Sequence, residues 1–90
     1  MAVIIVVEDN ETLRDAVVSY LKLDDHDVIE LDRVRGVMEA LKARSVDLIV
    51  LDVMLPDGDG FLLARRIRAA GHRMPIVFLT ARASESDRIT

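Results

Sequence analysis

The chain has 90 residues, of which 51% are hydrophobic and 31% are charged; this composition is typical of one globular domain and excludes a disordered chain. A net charge of −4 and only three aromatic residues disfavour direct binding to nucleic acid. The lack of cysteine excludes disulfides and thiolate metal sites. The first apolar run, residues 1–7, is too short for a signal peptide or a membrane span, so we expect a cytoplasmic protein.

The first three predicted elements are a strand, a helix and a second strand. Ala2–Val7 is an unbroken run of mostly branched apolar residues, typical of a strand that is covered on both faces. Apolar residues then recur with helical spacing, and Asn10 is the predicted N-cap. Asp27–Leu31 is half polar, which suits the edge of a sheet. The helical stripe consists of Leu13, Ala16, Val17, Tyr20 and Leu21.

The remaining predicted elements repeat this alternation. A second helical stripe runs from Val34 to Leu41 and precedes a buried strand at Leu48–Leu51. A third stripe, over residues 63–70, ends at Gly71, where a helix C-cap glycine belongs. Pro75 then opens a strand at Ile76–Leu79, and Ser84 is predicted to cap a fourth helix.

The resulting order, β-α-β-α-β-α-β-(α), predicts an α/β fold. Short connections between alternating strands and helices indicate a doubly wound parallel sheet with right-handed crossovers. The chain shows no internal repeat and no linker, so residues 1–90 are predicted to form one domain.

Polar side chains follow three of the predicted strands directly. Glu8 and Asp9 follow the first strand, Asp52 follows the third, and Thr80 follows the last. Ligands of open α/β sheets bind beyond the carboxyl ends of the strands. If the first and third strands are neighbours, as in a flavodoxin-like order, three carboxylates converge.

Convergent carboxylates favour a cation, because two of them about 4 Å apart repel by roughly 4 kcal/mol at an effective dielectric near 20. Oxygen ligands suit Mg²⁺. Asp52 could then accept a phosphoryl group, with the Thr80 hydroxyl placed to bond a phosphoryl oxygen.

Each of these residues also has a purely structural interpretation. Residues 8–10 could cap the first helix, Asp52 could cap the turn after its strand, and Thr80 could be an ordinary strand-end threonine. Only their joint arrangement at three strand ends resists that explanation. The run 57–60 is no EF-hand, because Leu55 and Arg66 would occupy the first and twelfth loop positions.

Three segments resemble response-regulator receiver domains, the CheY-like family. Val6–Asn10 resembles their acidic opening, Leu48–Gly60 their phosphoacceptor block, and Pro75–Arg82 their switch strand. The amino-acid sequences of residues 55–66 and 78–89 most resemble those of regulators that carry a C-terminal winged-helix, OmpR/PhoB-like DNA-binding domain.

The resemblance implies a phosphorylation-dependent signalling module in two-component transcription regulation and no enzyme. A sensor histidine kinase would supply the phosphoryl group, and DNA would be contacted only through an output domain that these residues do not include. The implied roles are Asp52 as phosphoacceptor, Glu8, Asp9, Asp52 and the backbone carbonyl of Met54 as Mg²⁺ ligands, Thr80 as the switch hydroxyl, and Ala81 as the residue that leaves room for the phosphoryl group.

One departure from the family leaves an alternative open. Family members have a fifth strand that ends in a lysine and a fifth helix, and neither is present in these 90 residues. We therefore expect a sheet of order 2-1-3-4 with Ile76–Leu79 as an unprotected edge. Such a chain is expected to be marginally stable or to associate by strand addition or domain swapping. The alternative function is a phosphorylation-independent interaction or dimerisation module.

Overall fold

The structure is a computed structural model that describes residues 1–79. It confirms the predicted alternation of strands and helices and adds a short hairpin that was not predicted. Thr80, Ala81 and the helix predicted from Ser84 lie outside the described residues. The elements are β1 (Val3–Val7), α1 (Glu11–Leu23), β2 (Asp27–Leu31), α2 (Val37–Ala43), β3 (Leu48–Asp52), the hairpin strands β4 (Met54–Leu55) and β5 (Gly58–Asp59), α3 (Gly60–Ala69) and β6 (Ile76–Leu79).

Four strands form one parallel sheet in the order β2-β1-β3-β6. This confirms the predicted order, with β6 as the fourth strand of the sheet. Val7 is in register with Leu31 on one side and with Leu51 on the other. The carboxyl ends of β1 and β3 therefore lie side by side, and Asp52 pairs in turn with Leu79 of β6.

The two faces of the sheet carry separate hydrophobic cores. Successive strand residues point to opposite faces, so Ile5 and Val7 belong to one core, and Ile4 and Val6 to the other. The larger core includes buried residues of both α2 and α3, whereas the smaller one is covered by α1. Burial on both faces explains why β1 contains no polar residue.

The face of α1 that meets the sheet differs from the predicted stripe. Val18, which the stripe omitted, is the buried residue of α1, and Val17 and Leu21 pack beside it. Tyr20, which the stripe included, is 72% exposed. The helix is thus rotated from the predicted orientation, and Val18 packs in the smaller core with Val6 of β1 and Val50 of β3.

Helix α2 begins later than its apolar spacing predicted. Gly36 has a φ of 98°, a left-handed conformation that cannot continue a helix, and α2 therefore begins at Val37. Val34, the first residue of the predicted stripe, lies in the preceding loop. Two other predicted helix ends are confirmed. Asn10 caps the N-terminus of α1 through its side chain, and Gly71 follows the C-terminus of α3 with a φ of 97°.

Candidate functional site

Glu8 is a buried acid at the carboxyl end of β1. It is 2% exposed, and its backbone N–H donates to the Leu31 carbonyl at 3.0 Å. Oε2 accepts a hydrogen bond from the Asn10 N–H at 2.9 Å. Oε1 is buried and has no hydrogen-bond partner among residues 1–79. A carboxylate oxygen in this state is costly, since its water has been removed and nothing has replaced it.

Asp9 and Asp52 bring two more carboxylates to the same place. One oxygen from each of Glu8, Asp9 and Asp52 lies within 4.8 Å of the others, and we call these three residues the acidic cluster. Asp9 is exposed and Asp52 is half-buried. Oδ1 of Asp52 accepts a hydrogen bond from the Val53 N–H at 2.8 Å, which fixes the orientation of its carboxylate.

The electrostatics of the acidic cluster follow from burial and like charge. The pKa of Glu8 is raised from 4.5 to about 7, chiefly by burial and also by the carboxylates of Asp52 and Asp9, against the lowering effect of the Asn10 N–H. The neighbours of Oε1 are acceptors like itself, so a hydrogen bond between them requires a proton on one of them. Without a proton or a cation, the acidic cluster is destabilising.

The nearby guanidinium of Arg14 does not neutralise these carboxylates directly. One Nη of Arg14 donates to the backbone carbonyl of Glu8 at 2.9 Å, and its Nε contacts Glu30 at 3.4 Å. Arg14 therefore links the carboxyl end of β1 to β2 through these two contacts. The donor set of the acidic cluster consists entirely of carboxylate oxygens, and one buried oxygen has no hydrogen-bond partner within residues 1–79. Such a set fits Mg²⁺.

The β4–β5 hairpin follows Asp52 in the chain. Met54 pairs with Asp59 and Leu55 with Gly58, while the Gly60 N–H donates to the Val53 carbonyl at 2.7 Å. A Cβ on Gly60 would overlap the Asp52 carbonyl oxygen and would lie 3.0 Å from the Asp52 carbonyl carbon. Glycine at this position is thus required by the close approach of two backbone segments.

The family model described as "Response regulator receiver domain" matches residues 4–90. The chain belongs to this receiver family. The match includes all three residues of the acidic cluster.

Similar proteins agree with this assignment. The receiver domain is 39% identical over 88 residues to the transcriptional regulatory protein GltR of Pseudomonas aeruginosa and 33% identical over 87 residues to the regulatory protein VanR of Enterococcus faecium. These matches cover 96% and 97% of this chain but only 36% and 37% of those proteins. The chain thus spans little more than a third of the length of these curated relatives.

Two solved receiver structures resemble it closely. The non-phosphorylated HemR receiver domain of Leptospira biflexa is 34% identical, with a TM-score of 0.84 over 99% of this chain and 72% of that one. The BeF3-activated N-terminal receiver domain of RstA from Klebsiella pneumoniae is also 34% identical, with a TM-score of 0.83 over 97% of this chain and 72% of that one. Both the fold class and the receiver assignment from the sequence are therefore confirmed.

The structure of this receiver domain describes some of the predicted site residues and not others. It brings Glu8, Asp9 and Asp52 together as predicted, and it also shows the capping contacts of the structural interpretation. Thr80 and Ala81 lie outside the described residues, and the role of the Met54 carbonyl stays a prediction. No helix within residues 1–79 is long and apolar enough to cross a membrane.

One contact of the receiver domain was missed by the sequence reasoning. The side chain of Asp57 accepts hydrogen bonds from the Val34 and Arg35 N–H groups. An aspartate after a proline in a loop is a common turn signal, but the sequence does not reveal that its partners lie more than twenty positions earlier.

Proposed function

We propose that this receiver domain accepts a phosphoryl group on Asp52 from a sensor histidine kinase, with Mg²⁺ held by the acidic cluster. The observation that carries this proposal is the convergence of three carboxylates, one of which, Glu8, has a buried Oε1 without a hydrogen-bond partner among residues 1–79. A purely structural set of caps does not require that oxygen to be buried without a donor. A bound cation gives it a partner.

The geometry of Asp52 suits the role of acceptor. The Val53 N–H holds Oδ1, and Oδ2 is the oxygen we assign as nucleophile. It forms the new bond to phosphorus as the N–P bond of the phosphohistidine breaks, and the imidazole leaves with the bonding pair. Mg²⁺, when bound, would screen the negative charge of Asp52 from the incoming phosphoryl oxygens.

Three further roles follow the family pattern and belong to the proposal. The backbone carbonyl of Met54 is the fourth protein ligand, supplied by the first strand of the hairpin. The Thr80 hydroxyl bonds a phosphoryl oxygen, and the small side chain of Ala81 leaves space beside it. Because relatives such as GltR are named transcriptional regulators, we assign regulation of transcription as the output, through a DNA-binding domain outside these 90 residues.

Phosphorylation by a small acyl phosphate tests the proposal directly. The chain is incubated with acetyl phosphate and Mg²⁺, and intact-mass spectrometry follows the gain of one phosphoryl group. We expect modification that requires Mg²⁺ and disappears in Asp52→Asn. Asp24→Asn is the matched control, because it removes the same charge at the far end of α1. A folded chain that stays unmodified, or that is modified equally in Asp52→Asn, would contradict the proposal.

A second candidate function is interaction through the edge of the sheet, independent of phosphorylation. Within residues 1–79, β6 pairs with β3 and no strand lies on its other side. Val77 and Phe78 are 51% and 38% exposed, and the Phe78 ring packs against Phe61 in a tilted arrangement with centroids 4.8 Å apart. An apolar strand edge of this kind favours strand addition or domain swapping. Light scattering after size-exclusion chromatography tests it, and a concentration-independent monomer would argue against it.

A further inference from the structure

Asp57 joins two loops that are distant in the sequence. Its Oδ1 accepts a hydrogen bond from the Val34 N–H at 2.7 Å, and its Oδ2 accepts one from the Arg35 N–H at 3.0 Å. We call this pair of bonds the Asp57 clamp. Both oxygens of the carboxylate are used, and both donors are backbone groups, so the clamp fixes the backbone of one loop against the turn of the other.

Packing reinforces the clamp on the loop between β2 and α2. A Cβ on Gly58 would lie 2.9 Å from Cγ2 of Val34, so the hairpin and this loop are in direct contact. The carbonyl of Val34 accepts a hydrogen bond from the Val37 N–H at 3.1 Å. The loop therefore sits between the hairpin turn and the first turn of α2.

The other end of the hairpin reaches the proposed metal site. Met54, whose carbonyl is the proposed fourth ligand, lies two residues after Asp52 and pairs with Asp59 of β5. Leu55 is 9% exposed and belongs to the larger core. A two-residue strand pair has little stability of its own, so the position of the Met54 carbonyl depends on the contacts that hold the hairpin in place. These are the burial of Leu55, the hydrogen bond from the Gly60 N–H to the Val53 carbonyl and the clamp at Asp57.

We infer that Asp57 is a positioning residue for the proposed Mg²⁺ site, acting by clamping the β4–β5 hairpin to the loop at residues 32–36. This inference rests on the proposed function, because it concerns the same metal site. Linkage makes the effect reciprocal. Mg²⁺ binding at the acidic cluster must stabilise the clamped conformation by the same factor by which the clamp increases Mg²⁺ affinity.

Mg²⁺ titration of variants, followed by ¹⁵N NMR, measures how much the Asp57 clamp increases the affinity for Mg²⁺. Loss of a partner that orients a ligand typically weakens metal binding by at least about 10-fold, so we expect Asp57→Ala to weaken Mg²⁺ binding by about 10-fold. Asp57→Asn, which keeps one acceptor oxygen, is expected to lose less. Asp32→Asn is the matched control, because it removes the same charge from the loop at residues 32–36, and within residues 1–79 the Asp32 carboxylate accepts a hydrogen bond from the Arg33 side chain and not from a backbone group.

Hydrogen exchange measures how far Mg²⁺ stabilises the clamped conformation, and it requires no substitution of Asp57. Saturating Mg²⁺ is expected to slow exchange of the Val34 and Arg35 amides several-fold, and this protection should vanish in Asp52→Asn. The measurement decides the matter even if Asp57→Ala does not fold. Because Mg²⁺ binding also slows exchange through global unfolding, a role in stability alone would protect these two amides no more than amides elsewhere in the fold, whereas the positioning role requires protection beyond that common level.

The outcomes separate this inference from the proposed function. If Mg²⁺ binding depends on Asp52 but is unchanged in Asp57→Ala, or protects the two amides no more than amides elsewhere in the fold, the positioning role is overturned and the proposed function stands. If the folded chain binds no Mg²⁺ at all, the metal site itself is overturned, and the positioning role falls with it. Weaker binding in Asp57→Ala together with Mg²⁺-dependent protection beyond that common level supports the inference.

Discussion

The acidic cluster and the Asp57 clamp use the same functional group in opposite ways. Glu8 is buried, and one of its oxygens has no partner within the described part of the chain. Asp57 is exposed, and each of its oxygens accepts a backbone hydrogen bond. Burial raises the pKa of Glu8 to about 7. Desolvation also raises the pKa of Asp57, but the N–H groups of Val34 and Arg35, with the charge of Arg33, lower it overall.

The difference shows that the supply of donors, and not the residue type, separates a binding site from a structural contact. Where N–H groups meet both oxygens, a carboxylate is stabilised as an anion and holds the fold. Where burial removes water and only other acids are near, the anion is destabilised until a cation arrives. Four predictions test this comparison, from the largest expected effect to the smallest.

Removing the charge of Glu8 should have the largest effect on metal binding. Glu8→Gln keeps the size of the side chain but loses an anionic ligand, and we expect Mg²⁺ affinity to fall by roughly 100-fold. Titration calorimetry measures this, with Asp24→Asn as the charge-matched control. Unchanged affinity in Glu8→Gln would show that the buried oxygen is not a ligand.

The metal-free chain should lose stability as the pH rises from 4.5 to above 7. The folded pKa of Glu8 is about 7 and lies above its ordinary value of 4.5, so the folded state binds more protons in this window. The loss attributable to Glu8 is up to about 3 kcal/mol. Urea unfolding in EDTA at pH 5 and pH 8 measures it.

Glu8→Gln supplies the control for that pH dependence. The variant should be more stable than the unmodified chain at pH 8 and similar to it at pH 4, because glutamine stands in for the protonated acid. Equal pH slopes in the two proteins would contradict the raised pKa.

Gly60→Ala should disturb both regions, since Gly60 lies where the hairpin meets the backbone of Asp52. The added methyl group would overlap the Asp52 carbonyl oxygen, and we expect a loss of about 2 kcal/mol in the free energy of unfolding. Gly71→Ala is an informative comparison, because nothing lies within 4 Å of its Cβ position but its φ of 97° is left-handed. Only Gly60→Ala should also weaken Mg²⁺ binding.

The smallest effect is expected for the acid response of the Asp57 clamp. The lowered pKa of Asp57 stabilises the fold above its ordinary value of 3.8, and this contribution is lost as the pH falls through the folded pKa. Asp57→Asn should therefore be slightly less stable than the unmodified chain at pH 7, and the gap should narrow by pH 3. The sign is opposite to that for Glu8, and urea midpoints at the two pH values check it.

Much of this architecture could be predicted from the sequence. Strands that are buried on both faces, such as β1 and β3, are unbroken apolar runs. The polar residues that directly follow them in the sequence indicate the edge of the sheet at which the acidic cluster forms. The rotation of α1 could not be predicted, because Val17 and Val18 are both apolar and only the shape of the sheet selects Val18. Nor could the Asp57 clamp, since turn-forming aspartates look alike until the fold supplies their donors.

The position of β1 between β2 and β3 also has a kinetic consequence. Glu8 and Asp52 are separated by roughly forty residues, so they meet only after two crossover connections have closed and both neighbouring strands have paired with β1. No local segment can assemble the acidic cluster alone. We therefore expect the acidic cluster to be completed late in folding, once β1 has paired with β3.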